Sequence, residues 1–203
     1  VGLIESEHSH HPFSTSVTGA YWYLEEICTQ VEAIRKLAKG AVANSVGLFR
    51  EHKLKVSNYS DEYDSSSGES TWIYRSCIDT FDLVPLKGEK AKYRCGIQYS
   101  IAPKDRLNKD FFPHVALLFG DAKECDIWDC DEFMLDEAAL NTLDEDVGYY
   151  PWRRTHNLRW IEDEDEVWVA RVIPLRWLTN ESDITNHLVG ALLEEIRYFS
   201  RTR

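Results

Sequence analysis

The chain has 203 residues, with 23 Lys and Arg against 35 Asp and Glu, a formal net charge of -12, and 43% hydrophobic residues. That length fits one domain, and the apolar fraction excludes global disorder. No run of residues is apolar enough for a membrane-spanning helix, and no charged-then-apolar leader is visible in the sequence, which begins at Val1.

Residues 1–13 read as a flexible N-terminal tail carrying His8, His10 and His11. Ser14 or Ser16 can cap the helix that follows. From Ala20 the apolar positions step by four and three through Leu24, Ile27, Val31, Ile34, Ala38 and Ala41. This predicts one long N-terminal helix with a single apolar stripe, flanked by Glu25, Glu26, Glu32, Arg35 and Lys36. Gly40 either ends it or loosens it. Residues 46–56 suit a strand better than a helix. Residues 57–70 are small and polar and predict a mobile surface loop.

A sheet-forming region begins at Thr71. Residues 71–86 are aromatic and β-branched. Residues 87–90 form a turn, and residues 91–101 return with Cys95, Ile97, Tyr99 and Ile101 on one face. The unbroken apolar run 114–119, bounded by Pro113 and Gly120, fits a strand buried on both faces. Residues 126–134 fit another strand and residues 136–143 a short helix. Residues 158–161 and 167–173 predict a second hairpin, whose turn, residues 162–166, must project into water because five like charges cannot pack inside. The final helix spans about 182–199, capped by Asn180 or Ser182, with Ile184, Leu188, Ala191, Leu192, Glu195 and Phe199 on one side. Helix, strands, helix predicts α+β rather than doubly wound α/β. The expected architecture is a single domain over 14–203. In it a mostly antiparallel sheet of five or six strands is packed by the N-terminal and C-terminal helices, with Leu117 and Phe119 in the core.

The five cysteines are odd in number, and Cys28, Cys77 and Cys95 sit in apolar segments, which points to a reducing, cytoplasmic setting. Charge is unevenly placed. Residues 121–146 carry eleven acids and one base, and residues 162–166 are five consecutive acids, so these two runs hold -15 and the rest of the chain +3. This field disfavours an intact nucleic-acid duplex and favours a basic partner, a cation or plain solubility.

Several groups could carry chemistry. The tail histidines have metal-ligand types but no recognisable zinc spacing. Cys125 and Cys130 have no second pair close in sequence, and their acidic neighbours oppose a reactive thiolate. Asp129 and Asp131 would share one face of a strand. With Asp79 and Asp82 they could hold Mg²⁺ for phosphodiester hydrolysis, but a solvated sheet face, with Asp79 or Asp82 at a bulge or bonded to Arg75, is the simpler expectation. Residues 148–160 mix Tyr149, Tyr150 and Trp152 with Arg153, Arg154, His156 and Arg159. This loop could stack on a nucleotide, meet a protein, or pair internally with the acidic run. Short phosphate-loop and hydrolase signatures are absent from the sequence.

The expected function is that of a non-catalytic acidic binding protein, an inhibitor, immunity-type protein or complex subunit, without a cofactor. A basic partner would be met through Asp129, Asp131, Glu162, Asp163, Glu164, Asp165 and Glu166, with Trp152, Arg153 and Arg154. The alternative is a metal-dependent phosphodiesterase or nuclease built on sheet carboxylates.

Overall fold

Residues 74–85 and 93–100, which include Ile78, Phe81, Val84, Tyr93, Ile97 and Tyr99, build the centre of the sheet. In the computed structural model, which describes residues 12–65, 74–102, 113–123, 150–151, 158–161 and 168–202, β2 (Tyr74–Pro85) and β3 (Tyr93–Ser100) pair antiparallel as the predicted hairpin. Strand β1 (Leu54–Ser65) flanks β2 and β4 (His114–Asp121) flanks β3; β7 (Trp168–Pro174) follows β4, with the short β6 (Leu158–Ile161) and β5 (Tyr150–Pro151) beyond. The order is β1-β2-β3-β4-β7-β6-β5, and every pairing is antiparallel. The fold is α+β as expected, with five long strands and two short ones. The hairpin of β6 and β7 is also as read, while its turn, residues 162–166, lies outside the described residues.

One face of the sheet packs against helices. Cys77, Phe81 and Leu83 of β2, Cys95, Ile97 and Tyr99 of β3, Val115, Leu117 and Phe119 of β4, and Val169 and Ile173 of β7 share a core with both terminal helices. Tyr93 and Phe119 lie 4.9 Å apart, and Phe199 meets Phe119 edge-on at 5.1 Å, a geometry aromatic rings favour. The opposite face is buried as well: Ile78, Gln98, Ala116, Leu118, Ala170 and Val172 are inaccessible or nearly so. This explains why β4 is apolar at consecutive positions rather than alternate ones.

The N-terminal helix α1 (Pro12–Asn44) is longer than the sequence predicts and measures about 50 Å. Ser14 and Ser16 are therefore inside it rather than capping it, and Gly40 does not stop it. Its stripe becomes buried only from Cys28 onward. Leu24 is 43% exposed, so the first described turns run past the core. Residues 46–51 form a second helix, α2 (Val46–Glu51), instead of the expected strand. A left-handed Lys53 (φ 58°) then turns the chain into β1.

Residues 57–65 belong to β1 and not to a loop, which corrects the sequence reading; residues 66–70 lie outside the described residues. The physical reason is position. β1 is an edge strand, ordered by backbone hydrogen bonds to β2, and an edge tolerates polar side chains on its open side. A register shift between Ser57 and Ser60 is a bulge, with Asn58 at positive φ (51°), a conformation Asn accepts more readily than most residues.

The C-terminal helix begins where predicted. Asn180 accepts a hydrogen bond from the Asp183 backbone N–H at 3.0 Å, and Asp183 accepts one from the Thr179 hydroxyl at 2.7 Å. The Thr179 hydroxyl first, and then the Thr179 backbone N–H at 3.2 Å, hold the Asp183 carboxyl below its ordinary range. After α3 (Glu181–Ile184) comes a π-helical turn, Thr185–Val189, and then α4 (Gly190–Thr202). Leu188 and Leu192 are 2% and 1% exposed. Each changed to Ala should cost about 2–5 kcal/mol in denaturant melts, whereas Leu24→Ala should stay within about 0.5 kcal/mol of the parent.

Candidate functional site

Among the described residues, the ionisable groups gather where the helices meet the sheet. Residues Asp61, Asp79, Ile97, Leu117 and Arg171 are register partners in one row across β1, β2, β3, β4 and β7. The row is acidic at the β1 edge, apolar in the middle and basic at β7. Asp79 and Arg171 stand three strand spacings apart, about 14 Å.

At the acidic end, Asp79 occupies the alternate position between the core residues Cys77 and Phe81 and is wholly buried. A carboxylate there requires a charged partner, and α1 supplies it. Arg35 donates from Nε to Asp79 Oδ2 at 3.2 Å and from Nη2 to Oδ1 at 2.6 Å, a two-pronged contact. Its Nη1 donates to Glu32 Oε1 at 2.7 Å, and Asp61 Oδ2 lies 3.5 Å from Nη2. Lys39 Nζ stands 3.6 Å from Asp79 Oδ1 and 4.5 Å above the Tyr59 ring. Arg35 is buried, whereas Glu32, Lys39 and Asp61 are partly open to water, so the cluster grades from a dry pair to a wet rim.

Two tyrosines border the pair. Tyr59, stacked on Phe81 at 6.0 Å, has its phenol pushed far above the ordinary range, first by burial, then by the Asp79 charge and its hydrogen bond to that carboxylate. Tyr99 lies under Arg35, with the guanidinium 6.0 Å from its ring centre. Burial and the Asp79 charge raise this phenol as well. Its hydroxyl is buried with no hydrogen-bond partner among the described residues.

The basic end is the mirror of the acidic end. Arg171 lies between the core residues Val169 and Ile173, donating from Nε to Glu195 Oε1 at 2.6 Å and from Nη1 to Glu194 Oε2 at 2.8 Å. Arg171 and Glu195 are both buried. On the other sheet face, Asp82 accepts from Asn58 Nδ2 at 2.9 Å and from Arg94 Nε at 3.4 Å.

The partner of Asp79 is thus Arg35 from a distant helix, and the idea of a solvated Asp79 beside Arg75 is corrected. Asp79 and Asp82 are both engaged by side-chain donors, which takes them out of a shared Mg²⁺ site. Among the described residues no group of three or more His, Cys, Asp and Glu converges to hold a metal. Asp129, Asp131, Trp152, Arg153, Arg154, Glu162, Asp163, Glu164, Asp165 and Glu166 all lie outside the described residues, as do Cys125, Cys130 and the three tail histidines. Cys28, Cys77 and Cys95 are free and buried. No described helix is long and apolar enough to cross a membrane. Compared with known proteins, the chain matches no family model, no curated protein and no solved structure.

The arrangement of Arg35 generates two expectations. Arg35→Met leaves the buried Asp79 with Lys39 at 3.6 Å and the Tyr59 hydroxyl in place of its two-pronged partner and should cost about 3–5 kcal/mol in urea unfolding. Asp79→Leu should cost less, because Glu32 and Asp61 still face the guanidinium, and the double variant Arg35→Met/Asp79→Leu should recover most of the loss. The tyrosines set an alkaline limit. Phenols raised in the folded state stay neutral while those of the unfolded chain ionise near pH 10, so their contribution is intact below pH 10 and declines above it. Tyr99→Phe should flatten that decline, read as the melting temperature between neutral pH and strongly alkaline pH.

Proposed function

We propose that the chain is a non-catalytic binding protein that engages a basic protein partner, as an inhibitor, immunity-type protein or complex subunit would. One observation carries this reading. The buried charges of the helix–sheet interface cancel in pairs inside the molecule, Arg35 with Asp79 and Arg171 with Glu195, while two short runs hold the acidic excess. Charge concentrated in that way steers a basic partner and speeds encounter. The candidate contact residues are Asp129, Asp131 and the consecutive acids Glu162, Asp163, Glu164, Asp165 and Glu166. Trp152, Arg153 and Arg154 are candidate anchors, since Trp and Arg dominate interface energetics. Three free, buried thiols support a reducing, cytoplasmic setting.

The test is capture of partners from an extract of cells that express the chain, followed by association kinetics with the purified partner. Screening shortens from about 10 Å at 0.1 M salt to about 3 Å at 1 M, so the on-rate should fall steeply while the off-rate changes little. Replacing Glu162, Asp163, Glu164, Asp165 and Glu166 by their amides should slow association without lowering the melting temperature. Unchanged kinetics in both experiments would refute the reading. Saturable Mg²⁺ or Mn²⁺ uptake with phosphodiester cleavage, both abolished by Asp129→Asn and Asp131→Asn, would replace it with the hydrolase.

A further inference from the structure

An open groove of about 610 Å³ runs beside the N-terminal helix. Ile27, Ile34 and Leu37 of α1 line it, and Ile101, Leu175 and Leu178, beyond the ends of β3 and β7, complete it. From Tyr23 to Leu37 the helical wall is about 21 Å long. The volume suits a small molecule. The length, with a lining that is almost wholly apolar, suits one that carries an extended hydrocarbon chain.

The lining holds one charged side chain, Arg176, and no acid. Arg176 stands on a 3-10 turn, Leu175–Trp177. Hydrogen bonds from Leu175 N–H to Pro113 O and from Leu178 N–H to Leu175 O, both at 3.0 Å, fix the backbone of that turn. The guanidinium makes no ion pair or hydrogen bond with a described residue, unlike those of Arg35 and Arg171, which carboxylates hold. Two other polar side chains of the lining are engaged: Gln30 donates to Glu26 at 3.0 Å, and the Thr179 hydroxyl donates to Asp183 at 2.7 Å. Neither of those acids lines the groove, and neither Arg35 nor Lys36 does, although both fall on the same stretch of helix. One unengaged cation beside an apolar groove matches one anionic headgroup on a hydrocarbon chain. It does not match an amphipathic guest helix, whose polar face presents a row of charges. We infer that the groove binds a long-chain fatty acid, with the acyl chain along α1 and the carboxylate on the Arg176 guanidinium, which can donate two parallel N–H···O bonds to it. The site is separate from the acidic runs and does not depend on the partner reading above.

The probes are tetradecanoate, dodecanoate and tetradecan-1-ol, each below the concentration at which it aggregates. Each is titrated against the full chain by displacement of a fluorescent polyene fatty acid. Tetradecanoate should compete saturably for one site per chain, and each methylene it has beyond dodecanoate should tighten binding by up to about fourfold. Arg176→Gln should weaken tetradecanoate about tenfold and leave tetradecan-1-ol within about twofold. Arg176→Lys, which keeps the charge but not the fork, should fall between the two. Leu37→Gln, at a residue 39% exposed, should weaken acid and alcohol alike. All of these variants should melt with the parent, because neither side chain belongs to the core. Equal binding of tetradecanoate by parent and Arg176→Gln overturns the inference, as does equal binding of acid and alcohol by the parent. Uptake that neither Arg176→Gln nor Leu37→Gln alters places the fatty acid elsewhere and overturns it too. A dimer in sedimentation that Leu37→Gln splits, with no fatty acid bound by either form, would assign the groove to a second copy instead.

Discussion

Burial of Asp79 is the constraint around which the helix-facing side of the sheet is organised. A lone carboxylate inside that apolar layer would cost several kcal/mol, so the N-terminal helix must deliver Arg35 to one place and in one rotational setting. Once Arg35 is fixed above Asp79, helical geometry fixes the rest. Val31 and Ala38, four residues before and three after, fall into the core, and Lys39 reaches over Tyr59 at 4.5 Å. An apolar contact could slide by a turn; a two-pronged guanidinium contact at 2.6 and 3.2 Å cannot.

The same device is used in reverse at the far end of the row. Strand β7 supplies the cation and helix α4 the anions, so each terminal helix is keyed to its own end of the sheet. Exchanging the helices would set Arg35 against Arg171 and Glu195 against Asp79, two like-charge contacts in the driest layer of the molecule. The pairs therefore distinguish correct from reversed docking, a discrimination that the apolar stripes, chemically much alike, supply poorly. Between the two keys, Ile97 and Leu117 separate the charges with hydrocarbon, so each arginine is satisfied locally.

Most of the regular structure was legible because its signals are local. Alternation at Cys95, Ile97 and Tyr99, an apolar run between Pro113 and Gly120, and Asn180 ahead of a stripe each need only a few neighbouring residues. β1 was not legible, since its order comes from β2 and its own sequence is polar. The extent of α1 was misread because Ser14 and Ser16, good capping residues, sit inside the helix. The ion pairs were hidden for a different reason: each partner looked ordinary alone. Arg35 was read as a flank of its stripe, although it is in phase with Val31 and Ala38. Asp79 was read as exposed, although it alternates with Cys77 and Phe81. A charged residue in phase with an apolar pattern, matched by one of opposite sign elsewhere, was the available signal. Glu195, counted among the apolar positions of its helix, was another case. The residues proposed for partner contact lie in segments outside the described structure, so for them the reading still rests on charge and composition.

The π turn at residues 185–189 has a bearing on how this chain can change. A five-residue turn takes up one residue more than an α-helical path between the same end points. The helix therefore holds a spare residue at that point, with the Thr179–Asp183 cap on one side and Glu195 on the other. Removing one residue there can relax the turn to α-helix and leave both flanks in phase. Removing one after Val189, in ordinary helix, swings everything beyond it by about 100° per residue and takes Glu195 away from Arg171. Two adjacent stretches of one helix thus differ sharply in the length variation they can absorb.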